Sequence, residues 1–213
     1  MLKGQFISFE GCEGCGKSTQ IQLTAEWLTS LGFDVCVTFE PGDGILGREI
    51  RRILLSEPFA PAPRAELLLF LADRSQHVHE TILPALKEGK WVLCDRYSDS
   101  TRAYQIAGRE LDASSIMPLI RFAEAGCHPD LTLWLDMDVR DSLARMFQRS
   151  RNGEEVTRMD GERVDFHQRV REGFRLIWQN EPERVFRVEA DGSIDDVQAS
   201  IRNILHGRYS FLT

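Results

Sequence analysis

Residues 11–18 read Gly-Cys-Glu-Gly-Cys-Gly-Lys-Ser, a complete G-x-x-x-x-G-K-[ST] phosphate-binding loop. No other segment constrains the fold as tightly. Such a loop turns successive backbone N–H groups inward onto phosphate oxygens, and it sits between a buried strand and a helix whose positive dipole end faces the same anion. Both flanks are present. Gln5–Glu10 carries the apolar run Phe6, Ile7 and Phe9, and Thr19–Leu31 places Ile21, Leu23, Leu28 and Leu31 at roughly helical spacing before Gly32. The loop predicts a nucleoside triphosphate held by Gly11, Cys12, Glu13, Gly14, Cys15, Gly16, Lys17, Ser18 and Thr19. Lys17 would reach the β- and γ-phosphates, and the Ser18 hydroxyl would sit on Mg²⁺.

The rest of the chain alternates strand and helix patterns. Further strands are expected at Asp34–Phe39, Trp91–Cys94, Leu131–Leu135 and Val185–Val188, with helices over 45–56, 64–88, 113–125, 139–149, 162–180 and 194–206. This order predicts an α/β, P-loop NTPase-type parallel sheet of about five strands with helices on both faces. Residues 1–213 read as one domain, the proline-rich stretch 58–63 being a connector before a long helix. Ligands of such sheets lie beyond the carboxyl ends of the strands. Those ends lead into the phosphate loop, Glu40-Pro41-Gly42-Asp43-Gly44, Asp95-Arg96-Tyr97, Asp136-Met137-Asp138 and Glu189-Ala190-Asp191-Gly192.

A net charge of −7, from 26 basic and 33 acidic residues, argues against a polymeric nucleic acid as partner. It leaves room for a small phosphorylated ligand, which needs only a local cationic cluster. No apolar run reaches the length of a membrane span, the first strand follows the N-terminus directly, and the cysteines are odd in number, so the expected compartment is the cytoplasm. Cys12-x-x-Cys15 lies in variable positions of the loop, with no second pair to complete a zinc site. It reads as loop filler, with a redox-sensitive loop as the minor alternative.

The motifs of a GTPase switch, Asp-x-x-Gly and Asn-Lys-x-Asp, are absent, and arginines after the strands favour a phosphoryl transferase with a clamp for an acceptor phosphate. Phe70 and Arg74 share one helix face, so a ring can stack on a base while a guanidinium one turn on donates to a base carbonyl. Phe70 alone would read as core and Arg74 alone as a solvated side chain; together, and with the segment after the third strand, they read as a base site. Thymine O4 accepts where cytosine carries a donor amine, so Arg74 would tell the two apart.

The segment Asp95-Arg96-Tyr97-Ser98-Asp99-Ser100-Thr101-Arg102-Ala103-Tyr104-Gln105 resembles the acceptor-binding segment of thymidylate kinases. Arg51 in Gly-Arg-Glu-Ile-Arg, Phe70 and Arg74 in Leu-Phe-Leu-Ala-Asp-Arg, and Arg158-Met-Asp in a lid segment over about 149–160 match the same family in the same order. The resemblance implies ATP-dependent phosphorylation of dTMP with Mg²⁺, in a homodimer. It implies acceptor contacts from Glu40, Pro41, Arg51, Phe70, Arg74, Arg96, Ser100, Thr101, Tyr104 and Gln105, with Arg51 and Arg96 clamping the monophosphate and Tyr104 crowding the sugar 2′ position. Asp95, with Ser18, would serve the metal.

Some family members carry an arginine inside the phosphate loop. Here Glu13 occupies the matching region, which implies the bacterial type with a catalytic arginine from the lid: Arg158 first, then Arg149 and Arg151. Glu13 itself would contact the acceptor phosphate through Mg²⁺ or water. The sequence departs from the family at Phe39, where an arginine is usual, at Asp43 in a glycine-rich turn, at Ile106 in place of glycine, and at Asp73 beside Arg74. Two alternatives stand beside this reading: a kinase for another deoxynucleoside monophosphate, and a nucleotide-binding regulator without transfer activity.

Overall fold

The structure is a computed structural model that describes residues 4–55, 59–151, 158, 159 and 161–212, the side chains of 149–151 excepted. Five strands, β1 (Phe6–Glu10), β2 (Val35–Phe39), β3 (Trp91–Asp95), β4 (Leu131–Asp136) and β5 (Val185–Glu189), form one parallel sheet in the order β2-β3-β1-β4-β5. Every residue of β1 and β4 is buried, as a parallel strand covered on both faces must be. β2 is an edge strand and leaves Val37 and Phe39 exposed.

The chain leaves β1 toward β2 and β3, then crosses to β4 on the other side. The carboxyl end of β1 is thus the switch point of the sheet, where ligands bind in folds of this kind. The phosphate loop lies there. Helix α1 (Lys17–Ser30) follows it and packs with α9 (Ile194–Arg208) over a core of Ile7, Phe9, Ile21, Leu28, Leu133 and Ile201. On the other face, α8 (Val164–Asn180) seals a core of Tyr104, Trp134, Phe166, Val170 and Phe174. The remaining helices are α2 (Gly44–Leu55), α3 (Pro63–His77), α4 (Leu83–Lys87), α5 (Ser98–Thr101), α6 (Ala113–Glu124) and α7 (Val139–Arg151).

The strands lie where the apolar runs place them. The helix expected over 64–88 is interrupted by a π-helical turn at Val78–Ile82 that joins α3 to α4. Pro84 offers no N–H and its ring would clash with the carbonyl of Glu80, so the wider turn accommodates it. A second π-helical segment, Arg102–Gly108, continues α5, and neither was expected as helix. Ser98-Asp99-Ser100-Thr101 favours caps over helix interiors, and a π turn breaks the 3.6-residue period by which helices are recognised. This segment packs extensively on α8; a Cβ on Gly173 would lie 2.8 Å from Ala107 Cβ and 3.0 Å from the backbone of Ala103. Close approach through that glycine holds Tyr104 and Gln105 in place.

Candidate active site

The loop's glycines have specific reasons. A Cβ on Gly14, whose φ is +78°, would meet the Ser142 carbonyl oxygen of α7 at 2.4 Å, and one on Gly11 (φ +140°) would meet the Leu135 carbonyl at 2.5 Å. The loop is therefore pressed between the end of β4 and the start of α7. α1 opens at Gly16 with no side-chain cap and no acid in its first turn, which leaves its leading N–H groups for an anion. Lys17 is buried and donates to the carbonyl oxygens of Gly11 (3.3 Å) and Cys12 (3.0 Å). Ser18 donates to Asp95 Oδ2 at 3.0 Å, and Asp95 Oδ1 is buried with no hydrogen-bond partner among the described residues. A hydroxyl, two carboxylate oxygens and phosphate oxygens are the hard donors that Mg²⁺ takes, so these residues fit the ion.

A cavity of ≈ 590 Å³ opens in front of the loop. Its lining brings Glu13, Gly14, Lys17, Ser18 and Asp95 together with Glu40, Pro41, Arg51, Phe70, Arg74, Arg96, Ser100, Thr101, Tyr104 and Gln105. Every acceptor residue named from the sequence is there. Gly14, Cys15, Gly16 and Thr19 also line a smaller cavity of ≈ 320 Å³ bounded by Arg145, Gln148 and the Ala190–Ile194 segment.

Arg96 stands in the left-handed region (φ +69°), which is costly for a side chain other than glycine. Several contacts hold it there: its N–H donates to the Phe9 carbonyl, and its guanidinium donates to the Gly11 carbonyl (3.0 Å) and Glu13 Oε1 (2.8 Å) and lies over the Tyr104 ring. Tyr104 in turn donates to Glu13 Oε2 at 2.7 Å. Burial would raise the Glu13 carboxyl, but Arg96 and Lys17 outweigh it and hold the group below the usual carboxylate range. Glu13 thus tethers a β3-end arginine to the phosphate loop.

Arg74, 2% exposed, donates from Nε and Nη2 to Glu40 Oε2 (2.9 and 2.8 Å) and from Nη1 to Thr101 (2.8 Å), with its guanidinium over the Tyr97 ring. Three of its five N–H groups are committed, leaving two for a ligand. His77 backs Glu40 at 2.8 Å and Thr38 at 2.6 Å. Arg51 donates to the Pro41 carbonyl beside the Phe39 ring.

Of the departures from the family, only Phe39 lines the cavity. Asp43 is taken up by the hydroxyls of Thr81 (2.7 Å) and Thr38 (3.1 Å). Asp73 accepts from the Gly42 N–H, and Ile106 packs toward the Leu67–Ile116 cluster.

The lid residues fare differently. Arg158 donates to Glu66 Oε2 and the Leu54 carbonyl, and its described partners include no residue of the phosphate loop. The side chains of Arg149 and Arg151, and residues 152–157 and 160, lie outside the described residues. Cys12 packs with Tyr104, Trp134 and Phe166, whereas Cys15 packs with Phe9, Ile21 and Leu28 in the other core. Both are free thiols, and they pack in separate hydrophobic clusters.

Sequence reasoning missed the groups that brace the site. Glu66, fully buried at the start of α3, accepts from Arg109, Arg158 and Gln105; a first-turn acid ordinarily reads as a dipole partner. Glu10 accepts from Tyr97 N–H, Ser8 and Ser100, and burial raises its carboxyl to about 7. His167 is buried 3.9 Å from Glu13. None of the three carries a local sequence signal.

The chain matches the family model described as thymidylate kinase over residues 9–201. It is 46% identical to the thymidylate kinase of Acaryochloris marina, with 97% of each chain covered, and 47% identical to that of Nostoc punctiforme, with 96% of each covered. The crystal structure of thymidylate kinase from Ehrlichia chaffeensis is similar at a TM-score of 0.78 and 30% identity, covering 95% of this chain and 99% of that one.

Proposed function

The chain belongs to the thymidylate kinase family and catalyses ATP-dependent phosphorylation of dTMP, and from that premise we propose how its residues divide the work. The observation that carries the proposal is the single cavity that joins the phosphate loop to Arg51, Phe70, Arg74, Arg96, Tyr104 and Gln105. ATP lies along the loop, with Lys17 leaving the Gly11 and Cys12 carbonyls for the β- and γ-phosphates. Arg51 and Arg96 grip the acceptor phosphate, Phe70 stacks on the base, and Arg74 donates to O4. Tyr104 crowds the sugar.

Ser18 and Asp95 would hold Mg²⁺, which when bound would neutralise charge on the phosphates. The acceptor phosphate oxygen attacks in line, so the protein contributes positioning and cationic groups rather than a covalent intermediate. The lid over about 149–160 closes on the donor, with Arg149, Arg151 and Arg158 its candidate catalytic cations. All of this belongs to one domain.

We further propose a homodimer built on α3 and α6, which pack together and expose Leu68, Leu119 and Phe122. We also propose a cytoplasmic location, in keeping with a supply of dTDP for DNA precursors. Among the described residues no helix is long and apolar enough to cross a membrane. Neither alternative, another monophosphate kinase or a regulator without transfer, is favoured by the family evidence.

The test is a panel of nucleoside monophosphates in a coupled ADP-release assay with ATP and Mg²⁺. The highest kcat/KM is expected with dTMP; a better acceptor, or ATP binding without dTDP formation, would overturn the reading.

A further inference from the structure

Glu66 has no place in the reaction as just described, yet it is among the most engaged side chains of the molecule. It is fully buried, and Arg109 reaches it through two bonds of 3.0 Å while Arg158 donates to Oε2. Gln105, which lines the acceptor cavity, donates its side-chain Nε2 to Glu66 Oε1 at 3.1 Å.

The chemistry of this contact has a direction. A carboxylate between two guanidinium groups is ionised and can only accept hydrogen bonds. Burial opposes that charge, but the bonds from Arg109 and Arg158 hold the Glu66 carboxyl below its ordinary range. The amide must therefore turn its NH₂ group toward Glu66. Its oxygen is then the atom left for a ligand, and among the described residues no hydrogen bond to it is present. Thymine carries a donor at N3, where cytosine carries an acceptor. An amide free to rotate would suit both bases; one pinned by a carboxylate suits only thymine.

We infer that Glu66 is a specificity-determining residue that acts through Gln105, fixing its amide with the oxygen toward the base so that the pocket accepts a base with an N3–H. The inference rests on the reading that the acceptor base lies against Gln105. Arg109 and Arg158, by keeping Glu66 charged, belong to the same device.

The test compares kcat/KM for dTMP and dCMP in Glu66→Gln and, in parallel, Gln105→Leu. In Glu66→Gln the amide at 66 can donate or accept, so Gln105 is released to turn either way. The dTMP:dCMP ratio is expected to fall roughly tenfold or more in both variants, chiefly through KM. A merely structural role for Glu66 would depress both acceptors together and leave the ratio unchanged. An unchanged ratio in Glu66→Gln with a collapsed ratio in Gln105→Leu overturns the role of Glu66 alone. Unchanged ratios in both overturn it together with the placement of the base. Should Glu66→Gln not fold, Glu66→Asp, which keeps the charge but draws it back from Gln105, is compared with the wild type using dTMP isotope-labelled at N3. A bound imino proton protected from exchange in the wild type and exchanging faster in Glu66→Asp supports the inference; equal protection in the two, or exchange as in free nucleotide, overturns it.

Discussion

Glu13 in the phosphate loop and Arg96 at the end of β3 form an ion pair of 2.8 Å, both side chains about one-fifth exposed at 19% and 18%. The pair joins the phosphate loop to the end of β3 along one cavity. An anion arriving between them finds the arginine already aimed, and Glu13 keeps it from pairing elsewhere while the site is empty.

Replacing Arg96 with alanine should raise KM for dTMP and lower kcat, with a combined loss in kcat/KM of about 10–100-fold for one charge-assisted contact. Lysine should rescue only part, because an ammonium cannot reproduce the bonds to both Gly11 and Glu13. Steady-state kinetics with dTMP varied at saturating ATP measures both. Full activity in Arg96→Ala would remove Arg96 from the phosphate clamp.

Lys17→Met should abolish nearly all turnover while the melting temperature moves little. Its bonds to the loop are to two neutral carbonyls and, weakly, to the Cys15 sulfur, a loss of about 1–2 kcal/mol. Retained kcat would sink the loop assignment.

Arg74→Ala should erode the preference for dTMP over dCMP and also destabilise the fold. Removing it leaves the buried carboxylate of Glu40 with His77 as its remaining partner, and breaking a buried pair costs about 3–5 kcal/mol. Thermal melts read with and without dTMP separate the two effects; unchanged selectivity would mean that the base is read elsewhere.

The strands were legible in the sequence because they depend on local pattern, apolar runs for β1 and β4, and the residues that the resemblance assigned to an acceptor site, Phe70 and Arg74 one turn apart among them, fall along one cavity. What joins the site together was not. Glu66 meets Arg109 and Arg158 from distant segments, and Glu10 meets Ser100 across 90 positions. Nothing local marks a carboxylate whose partners are chosen by the fold. The stretch 98–108 was missed for a different reason, since its polar start and widened helix obey neither the composition nor the period of an ordinary helix.

Asp73 sets an expected pH dependence. Burial, with the charge of Glu40 beside it, raises its carboxyl from 3.8 to about 7. A raised folded value favours the protonated form, so the contribution of Asp73 to stability is most favourable below pH ~4 and is lost as pH rises toward ~7. Asp73→Asn cannot titrate and should lack this decline, which amounts to a few kcal/mol at most by that linkage. Urea unfolding of both proteins from pH ~5 to ~8 compares them. Parallel curves would place the Asp73 carboxyl in its ordinary range.

Oxidation should not close a bond between Cys12 and Cys15, whose side chains pack in separate hydrophobic clusters. Mass spectrometry after mild oxidant should find both thiols alkylatable on unfolding, with activity retained. A cross-linked loop peptide would contradict the packing.

α6 begins with Asp112 bonded to the Ser115 N–H, and α9 begins with a reciprocal Ser193–Asp196 box, whereas α1 begins with neither. Under the proposed function a nucleotide phosphate would complete its first turn. A helix finished by a phosphate makes the folded state itself a sensor of nucleotide: the native population grows with ligand concentration as RT ln(1 + [L]/Kd), about 2.7 kcal/mol at a hundredfold excess over Kd. Starvation for nucleotide would then reach this enzyme twice, as an absence of reactant and as a helix left open at its first turn.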